Sequence, residues 1–189
     1  KGSIERTNAR KEEIINACEK LYQTMSFKDI TLKEIGKETS FSRTSIYNYF
    51  QTKEEIFLAL LKREYDAWIR ELCEAMESEE TMTDDQIADV LARTLDNHRQ
   101  LLKIMSMNHY DLEENSRMEL LVEFKVSYGN AMKTVMAMLA KFRKDMDIEK
   151  RQEFVYSFFP FMFGIYPYTI VTEKQKEAMK LAGVNYTYS

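Results

Sequence analysis

Along the first third of the chain, apolar positions recur at helical intervals separated by short polar breaks. Ile14, Ala17, Cys18, Leu21, Tyr22 and Met25 repeat at spacings of three and four, which predicts an amphipathic helix. From Thr31 the punctuation tightens. Thr31 and Glu34 have the spacing of a capping box, and Leu32 and Ile35 share one side of a short helix while Lys33, Glu34, Lys37 and Glu38 stay wet. Thr39 and Ser40 interrupt the run, Ser42 is placed to cap a second helix, and Ile46 and Phe50, four apart, turn inward together. Thr52 and Glu55 repeat the capping spacing. They open a long helix to about Glu77, striped by Phe57, Leu60, Leu61, Trp68, Ile69, Leu72 and Met76.

Past the polar stretch 78–81, Thr83 and Gln86 cap the next element. Further helices are predicted over about 84–106, 115–143, 148–171 and 173–182, with a break near Asn97 or His98 and a connection at 111–115. Five Gly and two Pro in 189 residues argue against strands and tight turns, so the expected class is all-α. The segment 154–172 is uncharged and dense in aromatics. Its length approaches a membrane span, but Pro160, Pro167, Gly164, Ser157 and three tyrosines favour a helix buried between the body and a second subunit, with a kink at Pro160.

The chemistry concentrates between Thr31 and Lys53. Two short helices joined by a turn lay one helix across a phosphate backbone and the next in a major groove. Arg43, Thr44, Ser45, Tyr47, Asn48 and Tyr49 occupy the faces that Ile46 and Phe50 leave free. Arginine suits guanine, asparagine suits adenine, and hydroxyls reach phosphates or base edges. Lys53 lies in a first helical turn, where a phosphate is favoured. Any one of these residues, taken singly, fits a cap or solvated surface better than a DNA contact; their combination is what points to DNA.

The stretch from Arg10 to Leu60 resembles the N-terminal domain of the TetR family of transcriptional regulators. The matching residues are Ile14, Ile15, Ala17, Leu21, Tyr22, Phe27, Ile30, Thr31, Ile35, Phe41 and Ser42, then Ile46-Tyr47-Asn48-Tyr49-Phe50 and Lys53-Glu54-Glu55-Ile56-Phe57. The chain departs from the family pattern at Gly36, Ser40 and Thr44. The resemblance implies a three-helix helix-turn-helix domain over 4–53, followed by a larger helical ligand-binding and dimerisation domain over 54–189. It also implies a homodimeric repressor that leaves a two-fold symmetric operator when a small molecule binds. By position, Arg43, Thr44, Ser45, Tyr47, Asn48, Tyr49 and Lys53 would face DNA, with Thr31 and Lys33 at the backbone.

Net charge is −4, but residues 1–50 carry nine Lys/Arg against seven Asp/Glu, a head of +2 on a body of −6. Cys18 and Cys73, without metal spacing, fit core packing in a reducing cytoplasm. His98 and His109 have no carboxylate or cysteine at ligand spacing, so neither a metal nor a cofactor is expected. Twelve methionines and many aromatics suit a pocket for an apolar or amphipathic effector. Its candidate lining is Trp68, Met105, Met107, Tyr110, Phe124, Tyr128, Phe158, Met162 and Tyr166, although for any one of them ordinary core packing is the better reading. Two other readings stand beside a regulator. One is a helical adaptor whose C-terminal helix binds another protein. The other is a helical enzyme using His98, His109, Asp111 or Glu113, which no phosphate loop, nucleophile motif or cofactor fingerprint supports.

Overall fold

The computed structural model describes residues 2–107 and 109–184, apart from the side chain of Arg43. Among the described residues there are ten helices and no strand. A three-helix head is formed by α1 (Gly2–Tyr22), α2 (Leu32–Lys37) and α3 (Arg43–Ile46), and α4 (Lys53–Ser78) runs out of it into the body. The body comprises α5 (Asp84–Asn97), α6 (Arg99–Met105), α7 (His109–Glu114), α8 (Met118–Phe142), α9 (Ile148–Thr169) and α10 (Glu173–Leu181).

Of the caps read from the sequence, those at Thr31, Thr52 and Thr83 are made; Ser42 precedes α3 without a side-chain bond to the helix backbone, its hydroxyl facing that of Ser45 instead. Thr31 accepts from the Glu34 amide and Thr52 from the Glu55 amide, while Thr83 and Gln86 form a reciprocal capping box. The head closes over Ile14, Cys18, Tyr22, Ile30, Ile35, Ile46, Phe50 and Phe57, all buried. Phe57 makes edge-to-face contacts with Tyr22 and Phe27, ring centroids 5.0 and 4.8 Å away. Arg63 of α4 reaches back to Glu12, Asn16 and Glu19 of α1, fixing the first helix along the lever.

In the body α4 packs along α8. Tyr65 and Trp68 of α4 and Phe124 and Tyr128 of α8 form a ring cluster there, which Phe159 of α9 joins. The helix predicted over 84–106 divides at His98, whose φ and ψ of −116° and 46° are not helical. The 111–115 segment expected as a connection instead lies largely in α7, because Leu112 is a buried anchor for one and a half turns. The helix α9 continues through Pro160 and Pro167. No residue of α10 is buried, and α10 leaves α9 at 86°. Among the described residues no single helix is long and apolar enough to cross a membrane.

Candidate nucleic-acid interface and body cavities

The turn between α2 and α3 needs no left-handed residue: no described residue other than glycine has a positive φ. Ser40 therefore replaces glycine without strain. Glu13 of α1 accepts the Ser40 amide, which holds its carboxyl below the ordinary range, and Thr39 Oγ1 bonds the carbonyls of Gly36 and Phe41, both at 3.0 Å. The helix α3 is shorter than the second helix expected after Ser42, which would carry Ile46 and Phe50 together. It ends at Ile46 and continues as tight turns, the Tyr49 and Phe50 amides both donating to the Ile46 carbonyl. Ile46 and Phe50 are buried, so Thr44, Tyr47 and Asn48 are turned outward.

Other sequence candidates are placed differently. Ser45 is half-buried, its hydroxyl 3.2 Å from that of Ser42. Tyr49 lies against Phe41, and its hydroxyl accepts from Arg10 at 3.4 Å. Lys53 gives two donors to the carbonyls of Phe27 and Ile30, at 2.7 and 3.1 Å, above the Phe27 ring. Thr31, Lys33 and Lys53 line one shallow hollow of about 430 Å³ at the start of α2. The Arg43 side chain lies outside the described residues. Arg10, which braces Phe41 and Tyr49 from α1, was not singled out by the sequence, because its partners lie more than thirty residues away.

Two profiles match this architecture. "Bacterial regulatory proteins, tetR family" covers residues 14–60, and "Tetracyclin repressor-like, C-terminal domain" covers residues 62–187. The chain belongs to the TetR family. That family consists of DNA-binding transcriptional regulators and is not enzymatic. An "Uncharacterized HTH-type transcriptional regulator YfiR" of Bacillus subtilis is 30% identical over 73 residues, 39% of this chain and 36% of the relative, so the match spans about a third of that protein. Two solved structures share the fold. The fatty acid degradation regulator FadR from Bacillus halodurans has TM-score 0.52 and 15% identity, over 95% of this chain and 88% of its own. The TetR family repressor AlkX from Dietzia sp., implicated in biodegradation of n-alkanes, has TM-score 0.51 and 12% identity, over 92% and 91%.

The body candidates separate into core and cavity. Trp68, Met105 and Met162 are fully buried and line neither of two cavities. The Trp68 indole N–H donates to Thr94 Oγ1 at 2.9 Å, and the Tyr65 hydroxyl donates to Met105 Sδ. Tyr110, Phe124 and Tyr128 border a small cavity of about 320 Å³ beside the Lys125–Glu113 ion pair, with Tyr110 largely in solvent. Met107 accepts from the Tyr22 hydroxyl, and Tyr166 packs half-buried against the core. Phe158 alone reaches a partly open groove of about 1190 Å³. Leu91, Leu95 and Leu102 form one wall of that groove and Phe154, Phe158 and Phe161 the other. Arg143, Asp84, Asp145 and Lys150 also border it, and Arg143 is ion-paired to both aspartates. Sequence reading missed this groove because its walls come from helices about sixty residues apart.

Proposed function

We propose that the protein is a cytoplasmic, homodimeric repressor that binds a two-fold symmetric operator and releases it when an amphipathic molecule enters the body. One observation carries the reading: the recognition turn buries Ile46 and Phe50 and presents Thr44, Tyr47 and Asn48 outward. Hydroxyl and amide groups on such a turn suit phosphate and base-edge contacts. The second subunit is suggested by uncovered apolar rows. Met118, Val122 and Val126 share one face of α8, and Tyr156, Pro160, Gly164 and Tyr168 share one face of α9, all exposed in the single chain.

The groove supports the effector class. Aliphatic and aromatic walls with charged groups at the border fit an alkyl chain carrying a polar head. A route to the head exists: Leu102 lines the groove, and the adjacent Lys103 donates to the Tyr22 carbonyl at the end of α1, over the Tyr22 ring. Occupancy changes DNA affinity only if the ligand prefers one arrangement of the heads.

The test measures binding to a duplex selected by the wild-type protein, for wild type, Tyr47→Ala and Asn48→Ala, with and without dodecanoate or dodecylamine. Each truncation is expected to cost about 1–3 kcal/mol, and one of the two amphiphiles to weaken wild-type binding. Unchanged affinity in both variants rules out the contact assignment; indifference to both amphiphiles rules out the groove as the effector site.

A further inference from the structure

Between head and body lies a cluster of bonds that neither the DNA contacts nor the groove uses. Glu55, in the first turn of α4, is 1% exposed. Its two carboxylate oxygens accept four hydrogen bonds. The Gln51 amide donates at 2.6 Å, the Arg117 amide at 3.0 Å, Arg117 Nε at 2.8 Å and Arg117 Nη2 at 3.1 Å. Arg117 Nη2 also donates to the Tyr49 carbonyl at 3.1 Å. Beside it, Thr52 Oγ1 donates to the Asn115 carbonyl at 2.9 Å. Burial alone would raise the Glu55 pKa; the bonds from Arg117 and Gln51 overcome it and hold the carboxyl below its ordinary value.

We infer that Arg117 is a positioning residue for DNA binding, through which the start of α8 sets the orientation of the recognition turn. Three features carry this. Tyr49 directly follows Tyr47 and Asn48, so its carbonyl is the last backbone anchor of the turn that presents them. The helix α3 has four residues and no side-chain cap, too short to hold its own orientation. Finally, a buried carboxylate cannot give up its partner cheaply, so Glu55 and Arg117 move as one unit. Arg117 is the N-cap of α8, whose opposite end contributes Leu139 to the groove. The body therefore reaches the turn from α8 as well as from α4, the two helices being joined there by the Glu55–Arg117 pair. The inference rests on the head binding DNA and not on which effector enters.

The test uses the full chain and a duplex selected by the wild type. Wild type, Arg117→Lys and the double variant Glu55→Met with Arg117→Met are compared in duplex affinity, salt dependence, unfolding midpoint and amide exchange over 47–50. Lysine keeps a cation beside Glu55 but lacks the fork that holds Tyr49 as well. The double variant removes both charges together, so neither is left buried and unpaired, although the Gln51 and Arg117 amides lose their acceptor. In each, affinity is expected to fall about tenfold or more, with faster exchange at 47–50 and an unchanged salt slope; the unfolding midpoint stays near wild type in Arg117→Lys and falls in the double variant. Affinity within threefold of wild type in a folded variant overturns the inference. A salt slope smaller by about one also overturns it, since Arg117 would then touch a phosphate itself. If the wild type selects no duplex, the DNA-binding reading fails first and takes this one with it.

Discussion

Trp68 illustrates how single residues in this chain take their roles from distant partners. On the sequence it is one aromatic in a helical stripe, equally suited to a pocket or a core. Its place is decided by Thr94, twenty-six residues on, whose hydroxyl accepts the indole N–H at 2.9 Å inside the body core. Replacing Thr94 with Val keeps the shape and leaves that N–H without an acceptor. The variant is expected to lose about 1–3 kcal/mol, read as a lower midpoint in thermal unfolding, and an unchanged midpoint would remove the bond from the account. Cys18 is settled in the same way: burial pushes its thiol up to about 12, which suits core packing over redox sensing. The outward positions of Thr44, Tyr47 and Asn48 were legible because Ile46 and Phe50 fix the helical phase locally. Tyr49 and Lys53 were not, because Phe41, Arg10 and the Phe27 carbonyl reach them through the fold.

At the scale of elements, caps and apolar periodicity located the long helices closely, since both signals lie within one or two turns. Two short elements escaped. A single buried leucine makes α7 where the polar sequence suggested a connection, and the recognition helix stops at Ile46 with turns completing it. The 154–172 segment shows the opposite limit. Its apolar character on every side implies complete burial, yet in one chain α9 buries only Val155, Phe159 and Met162. The exposed row through Pro160 and Gly164 has open space where a glycine Cβ would stand, which favours close approach by another helix. Val122→Glu on α8 and Gly164→Glu on α9 place charges on the two uncovered faces. Both are expected to convert a dimer to monomers in sedimentation equilibrium while far-UV circular dichroism stays helical; dimers that persist in both would move the interface elsewhere.

For the whole molecule, a head of +2 on a body of −6 turns the recognition surface towards a polyanion. The excess is small, so affinity is expected to lean on few phosphates and to show a moderate salt dependence, checked by titrating duplex binding against salt. The helices α4 and α8 cross the body as two rods, each with one end beside the recognition turn, through Glu55 on α4 and Arg117 on α8. In the proposed dimer, a ligand that alters their packing would change how the two heads meet one duplex. The most direct measurement is selection from a random duplex pool by the wild-type protein at moderate salt, followed by sequencing of the bound fraction. The account predicts an enriched site with two-fold symmetry and half-sites about one helical turn or more apart. A bound fraction with no enriched sequence, or with a single unpaired half-site, would contradict it.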